Sequence, residues 1–320
     1  MPRPDTTTRG RSEVRLSEAE LPTWEGLLPV WPGTDEDGLF VRRTPESGAE
    51  PALFVHGLGG SSTNWTDLMG LLAGTVDGAA VDLPGFGRSA APASYTPGAH
   101  ARAVVGLLER QGRGPVHLFG NSLGGAVTTR VAARRPDLVR TLTLVSPALP
   151  SLRLRRGLDP RLPLMLVPGM GQLLGRKLAA ASPEARARAV LELCYGDPSV
   201  IAPERLAEAA EEVARRNRLP HTSDAFTGSL KGLIASYLDR GPRNLWRLAR
   251  TVRVPTLLVW GTRDRLVDVA LAPRARAAFP SSRLLVLPGV GHVAQMERPE
   301  TVARAFLALR EDADAQRGPN

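Results

Sequence analysis

The feature that most restricts the fold of this chain is a repeated pattern of short apolar runs, each followed by a turn rich in glycine or proline. The runs cover residues 52–55, 79–81, 116–119, 142–145, 256–260 and 284–287, and another short strand is predicted at 39–42. Runs that are apolar throughout, rather than alternating, are typical of strands covered on both faces. Strands that alternate with helices form parallel sheets through right-handed connections. The pattern therefore predicts an α/β fold with a mostly parallel central sheet flanked by helices.

The amphipathic stretches between these runs predict the helices and, with them, the domain organisation. Helices are predicted at 62–73, 98–111, 123–135, 268–279 and 299–312. The strand–turn–helix pattern stops between residues 148 and 252, where helices such as 183–195 and 203–217 follow one another. We therefore expect a core formed by 21–147 and 253–312, with a helical cap at 148–252 inserted between two strands. Residues 1–20 are polar and without periodicity, which predicts a disordered N-terminal tail, and 313–320 are expected to form a C-terminal tail.

Charge and composition narrow the possible partners. The formal net charge is +9, almost all of it arginine, but the arginines are scattered instead of forming a basic stripe. Nucleic-acid binding is therefore not expected, while peripheral contact with an anionic membrane stays open. No apolar run approaches the roughly 20 residues of a membrane span. The absence of an apolar signal segment favours a cytoplasmic location. One cysteine excludes an intrachain disulfide. The histidine spacing indicates no metal site, no cofactor is expected, and the sequence does not indicate an oligomeric state.

The segment Gly120-Asn121-Ser122-Leu123-Gly124 is the first chemical motif. Gly-x-Ser-x-Gly by itself is a weak signal in a chain with 32 glycines. Here it follows a predicted strand and opens a predicted helix, which is the context of a nucleophile elbow. That context predicts Ser122 as a nucleophile.

A serine hydroxyl needs a base and an orienting acid, which on this type of fold follow the serine in the order acid, then histidine. Asp264 follows the run 256–260, and His292 follows the run 284–287. Both residues lie in loops at the carboxyl ends of predicted parallel strands, where functional groups gather. Asp268 is the alternative acid, although it is also the better candidate for a helix N-cap.

Acyl transfer also needs backbone donors for the developing oxyanion. The N–H groups of Leu58, in the segment His56-Gly57-Leu58-Gly59-Gly60, and of Leu123 are predicted to supply them. A phosphate-binding loop at 56–60 is disfavoured because the lysine of a Walker motif is missing.

Five segments together resemble the α/β-hydrolase superfamily in its capped, esterase-like branch. They are His-Gly-Leu-Gly-Gly (56–60), Asp-Leu-Pro-Gly-Phe-Gly-Arg-Ser (82–89), Gly-Asn-Ser-Leu-Gly-Gly (120–125), Trp-Gly-Thr-Arg-Asp (260–264) and Gly-His-Val-Ala-Gln-Met-Glu-Arg-Pro (291–299). The resemblance implies Ser122, Asp264 and His292 as the triad and Leu58 and Leu123 as oxyanion donors. It also implies that 82–89 is a structural turn.

The same resemblance leaves four functions open. Serine at 122 disfavours cleavage of epoxides and carbon–halogen bonds, for which family members carry aspartate. An ester hydrolase acting on a hydrophobic or medium-sized acyl substrate is the first expectation. The alternatives are a carbon–carbon hydrolase of the meta-cleavage-product type, which needs a cap arginine for a carboxylate, and a non-enzymatic ligand receptor. Perhydrolysis without a cofactor needs only the same triad.

Residues that contact the substrate are predicted less directly. Asn121 and Val267 neighbour the predicted triad, and Val293 stands where many meta-cleavage-product hydrolases carry tryptophan. Trp65 is either a pocket residue or a packing residue. The apolar stretch 162–174 is either the lip of an acyl pocket or cap packing.

Overall fold

The computed structural model of the protein describes residues 14–26, 31–151 and 181–317, and it is built on one eight-stranded sheet. In chain order the strands are Gly33–Glu36 (β1), Leu39–Arg43 (β2), Glu50–Val55 (β3), Val76–Val81 (β4), Val116–Asn121 (β5), Val139–Val145 (β6), Thr256–Gly261 (β7) and Ser282–Leu287 (β8). Their spatial order is β1-β2-β4-β3-β5-β6-β7-β8. The first two strands pair antiparallel, and β2 pairs antiparallel with β4, whereas all later pairs are parallel. The prediction of a mostly parallel sheet is confirmed.

Helices cover both faces of this sheet. They are Thr66–Leu72 (α1), Pro97–Gln111 (α2), Leu123–Arg134 (α3), Pro183–Cys194 (α4), Pro203–Arg216 (α5), Thr222–Leu238 (α6), Leu245–Ala249 (α7), Ala272–Ala278 (α8), Ala294–Glu297 (α9) and Pro299–Arg317 (α10). Apolar residues of α2, α3, α7 and α8 pack against one face, and those of α1, α9 and α10 pack against the other. Burial on both sides explains why β3, β5 and β7 are mostly apolar on both faces. No helix in the described ranges is long and apolar enough to span a membrane.

The hairpin at the sheet edge was not predicted. Strand β1, with the sequence Gly-Thr-Asp-Glu, is half exposed and pairs only with β2. Asp37 and Gly38 connect the two strands with positive φ angles of 58° and 80°, the conformation of tight hairpin turns. Because this edge strand is polar, the sequence contains no apolar run that would predict it.

The chain from 181 to 252 lies between β6 and β7 and contains α4, α5, α6 and α7. The predicted helices 183–195 and 203–217 correspond to α4 and α5. The stretch 162–174 lies outside the described residues.

The chain ends differ from the predicted tails. Residues 14–20, expected to be disordered, lie against α10, where the backbone N–H of Ser17 donates to the carbonyl of Arg304 (3.0 Å). Arg15 also pairs with Asp312 (2.9 Å). At the other end α10 extends to Arg317 instead of stopping at 312, with Ala313 buried against the core. Both segments are held by ion pairs and local apolar contacts. Such contacts leave no periodic pattern in the sequence, so they could not be predicted from it.

Candidate active site

Ser122 stands on a sharp turn between β5 and α3. Its φ and ψ are 54° and −116°, a region that non-glycine residues rarely occupy and that is held only by the surrounding structure. Here its N–H donates to the carbonyl of Val145 (3.1 Å), and its own carbonyl accepts from the N–H groups of Ala126 (3.1 Å) and Ala148 (2.9 Å). The prediction of a strand–turn–helix context for this serine is thus met by the structure.

Small residues around the serine are required by close packing. A Cβ atom on Gly124 would overlap the carbonyl oxygens of Val55 and His56, and one on Gly57 would lie 3.0 Å from the Cβ of Ser122. The serine turn and the loop 56–60 therefore touch each other. Since both follow neighbouring parallel strands, they meet at the carboxyl edge of the sheet.

Asp264 and His292 meet at the same edge of the sheet, in the loops after β7 and β8. The Nδ1 atom of His292 lies 2.9 Å from Oδ2 and 3.1 Å from Oδ1 of Asp264. Oδ1 also accepts the N–H groups of Leu266 (2.8 Å) and Val267 (2.9 Å), which fixes the carboxylate. A carboxylate at Nδ1 favours the tautomer with its proton there and leaves Nε2 free to accept another.

Asn121 connects the serine turn to the histidine loop. Its side-chain Nδ2 donates to the carbonyl of Val145 and to that of His292, both at 3.1 Å. The hydrogen bonds of the described residues include the Asp264–His292 contact but none between Ser122 and His292. In enzymes without substrate such contacts are often long and tighten when the substrate binds.

The two amides predicted to bind an oxyanion have no other partner among the described residues. Neither the N–H of Leu58 nor that of Leu123 donates a hydrogen bond there, whereas the nearby N–H of Gly60 donates to the carbonyl of Gly57 (3.1 Å). Leu123 opens α3, so its N–H is one of the helix-terminal donors that need an external acceptor.

Two buried polar side chains, those of His56 and Asp82, fix the loop 56–60 and the residues around it. His56 donates from Nδ1 to the carbonyl of Gly57 (2.7 Å) and accepts the N–H of Leu83 at Nε2 (2.9 Å). Burial lowers the pKa of His56 to about 4, which keeps the ring neutral. Asp82 accepts the N–H groups of Ser62 (2.6 Å) and Arg88 (2.8 Å), and its burial raises its pKa. These contacts are those of a structural turn, as expected for 82–89.

The remaining predicted residues occupy different environments. Trp65 is fully buried against the rings of Phe54 and Phe119, which favours its packing role over a place in the pocket. Val293 packs against Leu191 of α4 and against Tyr195, which follows α4. Val267 is partly buried beside the core. Asp268 caps the turn before α8, where it accepts the N–H of Ala270 (2.9 Å), and Asp264 is the acid at His292.

Glu297 is a functional candidate that the motif search did not single out. Its buried carboxylate accepts three backbone N–H groups, from Gly291 (2.8 Å), Gly196 (2.9 Å) and Asp197 (3.0 Å). It thereby joins the loop before His292 to the segment after α4. The available signal was a glutamate five residues after the predicted base, at the end of a mostly apolar stretch.

Comparison with known proteins gives one family and several relatives. The family model described as alpha/beta hydrolase fold matches residues 51–299. The chain is 29% identical over 291 residues to the dihydrolipoyllysine-residue acetyltransferase component of the acetoin cleaving system of Cupriavidus necator, covering 89% of this chain and 69% of that relative. It is 27% identical over 266 residues to a 2-hydroxy-6-oxononadienedioate/2-hydroxy-6-oxononatrienedioate hydrolase of Pseudomonas, covering 82% of this chain and 88% of that relative.

Among solved structures, a thermophilic esterase from Thermogutta terrifontis superposes with a TM-score of 0.66 at 22% identity. The match covers 88% of this chain and 97% of the esterase chain. At this identity the likeness concerns the fold.

Proposed function

The chain belongs to the α/β-hydrolase fold family, and we propose that it is a serine hydrolase that cleaves carboxylic esters with hydrophobic or medium-sized acyl groups. Ser122, His292 and Asp264 form its triad. The observation that carries the proposal is the Asp264–His292 hydrogen bond (2.9 Å), on a histidine loop that Asn121 ties to the Ser122 turn.

The proposed reaction begins with attack of the Ser122 hydroxyl on the ester carbonyl. Nε2 of His292 takes the hydroxyl proton and then gives it to the leaving alcohol, while Asp264 stabilises the charged imidazole. The N–H groups of Leu58 and Leu123 bind the oxyanion. Water, activated by the same histidine, then releases the acid from the acyl-enzyme.

The presence of four helices in the described residues between β6 and β7 supports the hypothesis that this part of the chain forms a cap. We infer that 148–252 forms the cap and that its contacts with the site, described below, select the substrate. Val293 and Val267 lie on loops that carry the proposed catalytic groups, and we propose them with Asn121 as the residues nearest the bound acyl group.

The test is activity-based labelling combined with an ester series. We expect a fluorophosphonate probe to label Ser122 and the protein to hydrolyse p-nitrophenyl esters, with an optimum along a series of increasing acyl length. Ser122→Ala should abolish both while circular dichroism stays unchanged. Wild-type protein that neither reacts with the probe nor hydrolyses any ester would contradict the proposal and favour a ligand receptor.

A carbon–carbon hydrolase is the second candidate. The relative from Pseudomonas is named as a hydrolase of 2-hydroxy-6-oxononadienedioate, a compound of the meta-cleavage-product type. Such a reaction needs a cationic group for the substrate carboxylate. Among the described residues, Arg216 contacts the loop 56–60, but it already lies 3.3 Å from the carboxylate of Glu212, so we do not propose it for this role. Turnover of a coloured meta-cleavage product faster than that of any ester would reverse this order.

A further inference from the structure

A cap arginine contacts the loop that carries the proposed oxyanion donor. Arg216 is the last residue of α5, and its Nη1 atom donates a hydrogen bond to the carbonyl of Gly59. Helix α6 lies over the same loop, because a Cβ atom on Gly59 would be 3.2 Å from the ring of Phe226. The cap and the loop 56–60 are therefore in direct contact.

The position of Arg216 is fixed at both its backbone and its side chain. Its carbonyl accepts hydrogen bonds from the N–H of Leu219 (3.0 Å) and the hydroxyl of Thr222 (2.7 Å). Its Nε atom lies 3.3 Å from the carboxylate of Glu212, whose side chain is only 10% exposed. A charge-assisted contact that is so little exposed is weakly screened by solvent. The guanidinium is thus held in place at the loop.

Two planar peptide units transmit this contact to Leu58. The peptide between Gly59 and Gly60 accepts from Arg216 at its carbonyl and donates from its N–H to the carbonyl of Gly57 (3.1 Å). That carbonyl belongs to the same planar unit as the N–H of Leu58. His56 holds the same carbonyl from the other side (2.7 Å). Fixing the first peptide therefore orients the second, and with it the Leu58 donor.

We propose that Arg216 is a positioning residue that aims the Leu58 N–H at the oxyanion, so that docking of α5 on the core completes the oxyanion hole. This inference rests on the proposed function, since it takes Leu58 as an oxyanion donor. It adds a role for the cap in the chemical step, in addition to substrate selection. Arg216 itself touches neither the substrate nor the reacting atoms.

The test compares Arg216→Met, Arg216→Lys and the matched control Arg215→Met. Arg215 is the neighbouring residue on α5 and also pairs with Glu212 (2.5 Å), but among the described residues it makes no hydrogen bond or ion pair with the loop 56–60. We expect Arg216→Met to lower kcat per titrated active site about 10- to 100-fold. A misaligned donor stabilises the transition state less, and its effect on kcat should approach that of removing the donor. KM should change little, since the lost interaction acts in the transition state. Arg216→Lys should restore part of the activity, and Arg215→Met should stay within about twofold of wild type.

A second readout separates positioning from general stability. The inhibition constant of a trifluoromethyl ketone, which forms an oxyanion on the serine, should rise in Arg216→Met by the same factor as kcat/KM falls. A merely structural role would reduce the number of active sites and leave both values per site unchanged. That result would overturn the proposal, and so would a kcat per site equal to that of wild type.

A third readout does not depend on catalysis. Amide hydrogen exchange of the segment 57–62 should be faster in Arg216→Met than in wild type or Arg215→Met. If the wild-type protein fails every ester and probe assay, the proposed function falls while faster exchange still supports the contact. Unchanged exchange in Arg216→Met would overturn the positioning role, whatever the activity.

Discussion

The side-chain amide of Asn121 donates to the backbone carbonyl of His292 at 3.1 Å. It thus connects the residue before the proposed nucleophile to the proposed base across 171 positions of the chain. The same Nδ2 atom holds the carbonyl of Val145, at the end of β6. One amide therefore sets the spacing between the two loops that must cooperate in proton transfer.

Removing this amide should affect the rate more than the stability. Asn121→Ala removes the side-chain donor of the His292 carbonyl and one of the two donors of the Val145 carbonyl. We expect this to cost about 1–2 kcal/mol of unfolding free energy. We expect kcat to fall about tenfold or more, because the histidine backbone loses a fixed contact. Asn244→Ala is the control, since Asn244 caps α7 through the N–H groups of Trp246 and Arg247. It should lose about 1 kcal/mol of stability with kcat unchanged, and equal kcat losses in both variants would contradict the prediction.

The choice of acid can be decided with two aspartates four residues apart. Asp264→Asn should lower kcat about 10⁴-fold with the fold intact, because an amide cannot orient or stabilise the imidazolium in the same way. Asp268→Asn should leave kcat within about twofold of wild type, since Asn is as good an N-cap as Asp. Kinetics on both variants, with circular dichroism as the check on folding, test this. A larger loss in Asp268→Asn would transfer the role to Asp268.

Glu297→Gln should destabilise the protein by about 2 kcal/mol. The amide NH₂ would face at least one of the three N–H groups that the carboxylate now accepts. Because Gly291 precedes His292, kcat should fall as well. Glu300→Gln is the control in the next helix, where Glu300 is exposed and pairs with Arg304 (3.0 Å); it should cost no more than about 0.5 kcal/mol. Urea unfolding measures both, and equal values would refute a special role for Glu297.

Stability should fall as the pH is lowered from about 6.5 to about 4. Burial lowers the pKa of His56 and of His100 to about 4, from a usual value of 6.5. Between these values the unfolded chain binds protons that the folded chain excludes, so unfolding is favoured as the pH decreases. Each histidine should cost about 2 kcal/mol between pH 7 and pH 5. Urea unfolding at both pH values measures this, and His100→Gln should remove about half of this part of the loss.

Glycine at the serine turn should be irreplaceable, unlike glycine in a surface helix. Gly124→Ala places a methyl group against the carbonyls of Val55 and His56 and should cost about 3 kcal/mol. Gly106→Ala, within α2, meets only the flexible end of Arg110 at 3.1 Å. It should stabilise the protein by about 0.5–1 kcal/mol. Thermal unfolding of both variants checks the signs, and a stable Gly124→Ala protein would contradict the close packing described above.

The central sheet could be predicted because burial on both faces leaves a direct record in the sequence. Strands β5 and β7 are buried at every position, and their apolar runs mark them within one or two residues. The positions of Asp264 and His292 could be predicted in the same way, since each lies in the loop that follows a strand of the sheet, β7 or β8. Local chemistry was enough in these cases.

The contacts between cap and core could not be predicted in this way. Glu297 and Asp197 lie 100 positions apart, and Arg216 and Gly59 lie 157 apart. The helices that carry these cap residues have no alternation with strands that would fix their place on the sheet. A buried glutamate or an arginine at a helix end has many possible partners in sequence, and only the folded chain selects one.

The close approach of the segment after α4 to the histidine loop limits how this protein can be re-engineered. The carbonyl of Cys194 accepts the N–H of His292 (2.6 Å), and a Cβ atom on Gly196 or on Gly291 would overlap the backbone of the opposite segment. A chimera in which residues 148–252 are exchanged for the corresponding segment of a relative must therefore keep glycine at 196 and 291 and a carboxylate at 297. Libraries aimed at new substrates can vary the rest of the insertion, but a graft that places a side chain at 196 would displace the loop that carries the proposed base, His292.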